Sequence, residues 1–175
     1  MNVDIKDYIR TIPDFPKEGI MFRDVTTVLQ SAEGFKLAID TLEKALEGVE
    51  FDKIAAIESR GFLFAAPIAY KLAKPFALIR KKGKLPFKTV QKEYDLEYGS
   101  AVIEMHSDSI AKGDRVVIID DLIATGGSMK AAVELVEDLG GKVEKLLFLI
   151  ELPELGGRQA LEGYDVFSAC EFDGE

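Results

Sequence analysis

The chain of 175 residues has little of the side-chain chemistry that builds disulfide frameworks and metal clusters, with one cysteine and one histidine. A single cysteine, Cys170, excludes an internal disulfide and a cluster of thiolate ligands. It stands near the end of an apolar stretch, so we expect it to be a small core residue. The single histidine, His106, has nothing near it that completes a catalytic triad or a metal site, and we assign it no role.

Long apolar runs and positive charge are also scarce. No stretch approaches the length of about 18 apolar residues that a membrane span needs, and the amino-terminal segment MNVDIKDYIR lacks the apolar core of a secretory signal. We therefore expect a cytoplasmic protein with no membrane partner. The chain has 22 basic and 31 acidic residues, a formal net charge of −9. Because nucleic-acid binding depends on positive charge, we expect no nucleic-acid partner.

The apolar residues alternate between strand-like and helix-like periods along the chain, without a repeat or a linker. This pattern predicts a single α/β domain over residues 1–175, with a central, mostly parallel sheet flanked by helices. Predicted strands cover 54–57, 76–79, 101–106, 116–119 and 146–150, and predicted helices cover 34–48, 61–73 and 128–139. Residues 13–32 look irregular, and we expect them to belong to a small hood, roughly residues 1–33, over the carboxyl edge of a core of roughly 34–175.

The segment VVIIDDLIATGGS at 116–128 carries the strongest functional signal. Its four branched apolar residues predict a buried parallel strand, and Asp120 and Asp121 follow at the carboxyl end, where ligands bind in α/β sheets. A turn with two hydroxyls and two glycines then opens a helix, an arrangement that holds an anion on backbone N–H groups. The five residues of this phosphate loop are Ala124, Thr125, Gly126, Gly127 and Ser128. Carboxylates beside a phosphate site suit sugar hydroxyls or a metal, so the predicted ligand is a phosphorylated sugar.

A simpler interpretation of the same segment is a strand-end turn followed by an ordinary helix capped by Ser128. The complete string is less compatible with that interpretation than the glycine pair alone would be. The two common nucleotide-binding motifs do not compete, because Gly83-Lys84 is followed by Leu85 and the sequence has no G-x-G-x-x-G.

The segment 116–128 resembles the phosphoribosyl-pyrophosphate (PRPP) binding motif of type I phosphoribosyltransferases. FRDVT at 22–26, ESRGF at 58–62, IRKKGKLP at 79–86 and EYG at 97–99 are similar to the adenine-specific branch of that family, and the resemblance covers nearly the whole chain. It implies transfer of the phosphoribosyl group from PRPP to adenine, giving AMP and pyrophosphate in purine salvage. It also implies a homodimer and Mg²⁺, held by oxygens of pyrophosphate, ribose and water without a specified direct protein ligand.

The resemblance assigns the ribose hydroxyls to Asp120 and Asp121 and the 5′-phosphate to the phosphate loop. Six basic residues within thirteen positions form a cluster that suits pyrophosphate, although a solvated basic loop is the alternative: Arg80, Lys81, Lys82, Lys84, Lys88 and Lys92. The positions that match the family on the pyrophosphate side are Ser59, Arg60, Arg80, Lys81 and Lys84.

Residues 83–99 are polar with little apolar periodicity, which predicts a lid loop that closes over the substrate and excludes water. Glu97 and Tyr98 lie at its returning end. The resemblance makes Glu97 the candidate for proton transfer with the purine nitrogen, with Glu104 on the following strand as the fallback.

The hood is expected to select the base. The resemblance implies that Phe22 stacks on the purine while the backbones of Met21 and Arg23 read its edge, leaving the wrong base with unsatisfied partners. Two rival functions stay open from the residues: a phosphoribosyltransferase for another base, and a PRPP-sensing regulator that keeps the fold without catalysis.

Overall fold

The computed structural model describes residues 3–96 and 98–174. Its centre is a seven-stranded sheet in the order β5-β6-β4-β3-β7-β8-β9, in which β4, β3, β7, β8 and β9 are parallel and β6 is antiparallel to both β4 and β5. A separate hairpin consists of β1 and β2. The strands are β1 (Arg10–Pro13), β2 (Met21–Asp24), β3 (Lys53–Ile57), β4 (Phe76–Lys81), β5 (Thr89–Asp95), β6 (Ser100–His106), β7 (Arg115–Ile123), β8 (Lys142–Glu151) and β9 (Val166–Glu171).

In the part of the chain that the structure describes, five α-helices accompany the sheet: α1 (Thr26–Gln30), α2 (Ala32–Lys44), α3 (Arg60–Lys71), α4 (Gly127–Asp138) and α5 (Gly157–Ala160). Short 3-10 helices occupy Ile5–Tyr8 and Pro153–Leu155. The mostly parallel sheet flanked by helices confirms the predicted fold class. Among the described residues, none of the helices combines the length and apolarity that crossing a membrane requires.

The two faces of the sheet build two apolar clusters, because successive side chains of a strand point to opposite faces. On β3, Ile54 and Ala56 pack with α2 and α3, whereas Ala55 and Ile57 pack with α4. The middle segments of the central strands, residues 54–57 of β3, 116–119 of β7 and 146–150 of β8, are therefore entirely apolar, as burial on both faces demands. Cys170 is 7% exposed and belongs to the α2 and α3 cluster, which confirms its expected place in the core.

The expectation of an irregular segment at 13–32 is wrong for much of it. Residues 21–24 pair with 10–13 in the antiparallel hairpin, and α1 follows. The turn between the strands is held by the backbone N–H of Gly19, which donates to Asp14 Oδ1 at 2.8 Å, and by edge-to-face packing of Phe15 on Phe22 at 5.1 Å between ring centroids. These contacts join residues on opposite sides of a turn, so they produce no pattern in the apolar periodicity of the sequence.

The lid loop expected over 83–99 is not a loop throughout, because residues 89–95 form β5, which pairs along its whole length with β6. The inward positions of β5 are Val90, Lys92 and Tyr94. Lys92 reaches Asp138 of α4 at 3.0 Å, so one inward position is charged. That charge interrupts the apolar alternation by which a strand is recognised in sequence. Motion of this hairpin stays a prediction.

Candidate active site

The two aspartates of the strongest motif lie within β7, which continues to Ile123 instead of ending before them. Asp120 and Asp121 are only 8% and 6% exposed. Asp121 Oδ2 lies 2.7 Å from Arg60 Nε, and Asp120 Oδ1 accepts the backbone N–H of Asp121 at 2.8 Å. Burial, followed by repulsion from Asp121, raises the pKa of Asp120 well above its ordinary value. The pair therefore favours a ligand that brings a cation or hydroxyl donors.

Arg60 is placed against these carboxylates by the start of α3. Ser59 is the N-cap of that helix, and the peptide bond between Glu58 and Ser59 is cis. Arg60 is the first helical residue, at the carboxyl end of β3, which pairs directly with β7. The neighbouring ends of two parallel strands thus bring a cation and two acids together.

The phosphate loop joins β7 to α4. Its Gly126 is the N-cap of α4 in a left-handed conformation, with φ 84° and ψ 0°. A glycine cap has no side chain to accept from the first-turn N–H groups, which lack acceptors within a helix. Ser128 lies inside the helix, so its interpretation as an ordinary cap is wrong. Thr125 and Ser128, the two hydroxyl-bearing residues of the loop, both line one cleft.

One cleft of about 680 Å³ brings together most of the residues singled out in the sequence. Its lining residues are Ile57, Glu58, Ser59, Arg60, Arg80, Lys81, Lys84, Tyr94, Asp120, Asp121, Leu122, Ala124, Thr125, Gly126 and Ser128. The cleft thus has a basic side, an acidic pair and a phosphate loop. Such an arrangement suits a ligand with two anionic groups separated by a hydroxylated ring.

Glu58 organises the basic side, and sequence reasoning missed its role. Its carboxylate accepts from Lys84 Nζ at 2.8 Å and from the backbone N–H of Lys81 at 2.5 Å, and lies 3.5 Å from Arg80 Nε. Burial alone would raise the pKa of Glu58, but these donors and charges lower it below its ordinary value. Glu58 therefore holds the cations together in the absence of an anion. The position of Glu58 directly before Ser59 and Arg60 in ESRGF was a sequence feature that could have indicated this role.

The predicted base-binding residues lie on β2, beside the cleft and not among its lining residues. The Phe22 ring faces the Arg60 guanidinium at 5.8 Å, and Met21 is 39% exposed. The Arg23 side chain turns away to the carboxyl-terminal segment, where it stacks on Phe172 at 4.4 Å and donates to the Asp173 carbonyl at 3.2 Å. Only the backbone of Arg23 is therefore available at the edge of β2.

A second cavity of about 810 Å³ adjoins the cleft and shares Tyr94, Ala124, Thr125 and Ser128 with it. Its other lining residues are Ile20, Asp95, Leu96, Gly127, Leu152 and Leu155. The leucines and Ile20 give it an apolar wall next to the phosphate loop. Sequence reasoning assigned no role to Tyr94 or Leu152, because neither belongs to a recognised motif.

Glu104, the fallback for proton transfer, is 3% exposed and acts as an anchor of the hairpin. It accepts from the backbone N–H groups of Gly83 and Leu85, each at 3.1 Å, and from Thr89 and Gln91. Burial tends to raise the pKa of Glu104, but these four donors lower it below its ordinary value. A carboxylate occupied in this way favours a structural task.

Three further residues discussed from the sequence are His106, Tyr98 and Glu97. His106 Nε2 accepts from the backbone N–H of Phe87 at 3.3 Å, in keeping with its lack of an assigned role. Tyr98 is 79% exposed and has Lys17 Nζ 5.2 Å from its ring centroid. Glu97, the residue predicted for proton transfer, lies outside the described residues.

Within 3–96 and 98–174, no group of three or more histidine, cysteine, aspartate or glutamate side chains is arranged to hold a metal ion. A divalent cation in the cleft would therefore take part of its ligands from a substrate. Asp120 and Asp121 are the carboxylates nearest the phosphate loop in sequence, and their oxygens are of the kind that Mg²⁺ prefers.

Comparison with known proteins agrees with this geometry. The family model described as phosphoribosyl transferase domain matches residues 24–168. The adenine phosphoribosyltransferase of Agathobacter rectalis is 64% identical over 171 residues, which cover 98% of this chain and 98% of that protein.

Comparison with solved structures indicates the same family. The crystal structure of adenine phosphoribosyltransferase from Thermoanaerobacter pseudethanolicus superimposes with a TM-score of 0.94 at 55% identity, covering 96% of this chain and 98% of that one. The Saccharomyces cerevisiae adenine phosphoribosyltransferase, complexed with an imino-altritol bisphosphate and adenine, has a TM-score of 0.89 at 40% identity, covering 95% and 96%. The chain belongs to the phosphoribosyltransferases and, within them, to the adenine phosphoribosyltransferase family.

Proposed function

We propose that the protein transfers the 5-phosphoribosyl group of PRPP to adenine, releasing pyrophosphate and forming AMP in purine salvage. The observation that carries this proposal is the cleft in which the phosphate loop and the acidic pair face a set of cations. PRPP has a phosphate at one end, pyrophosphate at the other and a hydroxylated ring between them. The phosphate loop, the cations and the acidic pair are chemically suited to these three parts, respectively.

The 5′-phosphate is assigned to the phosphate loop, residues 124–128. The amino terminus of α4 offers backbone N–H groups and the positive end of the helix dipole, both of which favour an anion. Thr125 and Ser128 add hydroxyl donors. Asp120 and Asp121 are assigned to the ribose hydroxyls, which would donate hydrogen bonds to the carboxylate oxygens.

The pyrophosphate is assigned to Ser59, Arg60, Arg80, Lys81 and Lys84. In the free protein, Glu58 neutralises part of this set, with Lys84 Nζ at 2.8 Å. An incoming pyrophosphate would compete with Glu58 for the same donors. It offers more oxygens than one carboxylate, so exchange favours the substrate.

The acidic pair and the substrate oxygens together form a donor set that fits Mg²⁺. Asp120 and Asp121 would hold the ion directly or through water, and burial, followed by repulsion from Asp121, raises the pKa of Asp120, a cost that a bound cation would reduce. When bound, Mg²⁺ would neutralise charge on the departing pyrophosphate.

Adenine is assigned to the space beside β2, with Phe22 as the stacking residue and the backbones of Met21 and Arg23 at its edge. The adenine in the complex of the yeast relative supports the choice of base. Glu97 is assigned to proton transfer with the purine nitrogen, and Tyr98 to the same closing segment. Closure would exclude water from a cationic sugar centre that water would otherwise hydrolyse.

The test of this function is release of pyrophosphate from PRPP and Mg²⁺ with adenine, hypoxanthine, guanine, xanthine or orotate supplied singly. We expect release with adenine alone and formation of AMP in equal amount. Release with another base would retain the fold and reject the choice of base. PRPP binding without release for any base would favour a PRPP-sensing regulator.

We also propose that the protein forms a homodimer through an apolar stripe on α3 and the sheet beside it. Leu63, Ala66 and Tyr70 are exposed at helical spacing on α3. Leu78 of β4 is 38% exposed on the sheet face that carries α3, since its neighbours Ala77 and Ile79 belong to the cluster on the other face. An apolar surface of this kind suits self-association about a twofold axis.

Charge introduced at the stripe is expected to separate the subunits. Light scattering after size exclusion should give a dimer for the wild type and a monomer for Leu63→Glu, because the new carboxylates would be buried without partners. Leu96→Glu is the matched control, since Leu96 is also about half exposed but lies on the hairpin after β5. A dimer that survives Leu63→Glu would reject this face as the interface.

A further inference from the structure

The phosphate loop is supported from behind by α5. A Cβ built on Gly126 would lie 2.9 Å from the carbonyl oxygen of Gly157, and one built on Gly157 would lie 2.6 Å from the carbonyl oxygen of Ala124. The two backbones are therefore in direct contact, with glycine on each side. Any displacement of α5 would be transmitted to the loop, because the two backbones pack closely against each other.

An ion pair between the half-exposed Arg158 guanidinium and the buried Glu151 carboxylate fixes the position of α5. Arg158, the residue after Gly157, donates from Nε to both oxygens of Glu151 at 2.8 and 3.0 Å and from Nη2 to Oε2 at 2.9 Å. Ser168 Oγ donates to the same carboxylate at 2.6 Å, and Arg158 Nη1 donates to the carbonyl oxygen of Val166 at 3.0 Å. The guanidinium thus ties α5 to the ends of β8 and β9.

Glu151 lies in the sheet next to the start of the phosphate loop. It is 3% exposed, it is the last residue of β8, and its register partner on β7 is Ile123, which directly precedes the phosphate loop. Burial tends to raise the pKa of Glu151, but hydrogen bonds from Arg158 and Ser168 lower it below its ordinary value. The Glu151 carboxylate therefore favours its ionised form beside the residue that precedes the phosphate loop.

We propose that Glu151 and Arg158 are positioning residues for the phosphate loop. Neither lines the cleft; together they hold α5 against the loop so that its N–H groups keep one geometry for the 5′-phosphate of PRPP. A bidentate guanidinium and carboxylate pair gives directional restraint that a single charge cannot supply. The inference rests on the proposed role of the loop in binding PRPP.

The experiment compares Arg158→Met with Arg115→Met. Arg115 makes a similar two-point contact with Asp52, at 3.0 and 3.1 Å, but lies at the opposite end of β7. The dissociation constant of Mg²⁺ and PRPP is measured by calorimetry, with the KM of each substrate and kcat from steady-state rates. Arg158→Met should weaken PRPP binding at least about tenfold, because a displaced loop loses its alignment with the phosphate. The KM of adenine should stay within about twofold, as should every constant of Arg115→Met.

Each outcome bears on a separate claim. A PRPP dissociation constant for Arg158→Met within about twofold of the wild type would overturn the inference, and so would an equal loss in Arg115→Met, because both changes would then report only lowered stability. Wild-type protein that does not bind PRPP would reject the proposed function and this inference with it. A wild type that binds, with variants that bind equally well, rejects the inference alone.

A milder variant covers the case in which Arg158→Met does not fold. Arg158→Lys keeps the charge but loses the two-point contact. It should fold, bind PRPP about threefold more weakly and leave the KM of adenine unchanged, because part of the restraint on α5 remains. Unchanged PRPP binding in a folded Arg158→Lys variant, combined with an unfolded Arg158→Met, would assign the pair to stability and overturn the inference.

Discussion

Replacing Gly126 with alanine is expected to weaken PRPP binding by about 100-fold or more, since a misplacement of about 1 Å at a binding group has effects of that size. Gly126 has φ 84°, and the new Cβ would lie 2.9 Å from the carbonyl oxygen of Gly157 and 3.1 Å from Ala160 Cβ. Two backbones would have to separate to admit it. The first turn of α4 would then move away from the phosphate. Calorimetric titration with PRPP and Mg²⁺ measures the loss.

Gly163→Ala is the matched control for that substitution. Gly163 also has a left-handed φ, 92°, but a Cβ there would meet no atom within 4 Å. It should therefore lose about 1–2 kcal/mol of stability from backbone conformation alone and keep the PRPP dissociation constant of the wild type. Equal binding losses in the two variants would mean that backbone strain, and not contact with α5, explains the effect. Unchanged binding in Gly126→Ala would contradict the assignment of the loop to phosphate.

Replacing Glu97 with glutamine is expected to lower kcat by about 10²–10⁴, the usual contribution of a general acid or base. The amide keeps the size of the side chain but neither takes up nor releases a proton at working pH. PRPP binding should change little, because the pyrophosphate and phosphate walls are separate residues. Single-turnover rates at saturating adenine and PRPP measure the effect, and the pH profile of kcat should lose one ionisation.

Glu93→Gln, four positions earlier in the chain, is the corresponding control. Glu93 is exposed on β5 and accepts a hydrogen bond from Ser100. Surface changes of this kind typically alter stability by less than about 0.5 kcal/mol, so kcat should match the wild type. If Glu97→Gln lost PRPP affinity and turnover in equal measure, an acid or base role for Glu97 would be untenable, and a role in positioning would replace it.

The success of sequence reasoning differs between parts of the molecule for identifiable reasons. The strands 54–57, 116–119 and 146–150 were predictable because burial on both faces of a sheet demands unbroken apolar runs. Of the two strands in the hairpin of β5 and β6, the sequence predicted only β6. The inward Lys92 of β5 is neutralised by Asp138, an acid 46 positions further on in the chain, and no local pattern indicates such a partner.

The candidate site shows the same division. The chemistry of the phosphate loop and the acidic pair is contained in one continuous segment, so the sequence by itself predicted a phosphorylated sugar as the ligand and named the residues expected to bind it. The role of Glu104 as an anchor of the β5 and β6 hairpin could not be predicted in the same way. Its donors at Gly83, Leu85, Thr89 and Gln91 become neighbours only when β5 folds back on β6.

The sequence by itself determined the fold class, the phosphate loop, the acidic pair and the cationic segment, because each depends on residues that are close together in the chain. The tertiary structure alone decided which distant groups meet. It placed Arg60 on Asp121, Glu58 among the cations and α5 behind Gly126. The physical reason is that ion pairs and close backbone contacts depend on distance in space, which the sheet order sets and local periodicity does not encode.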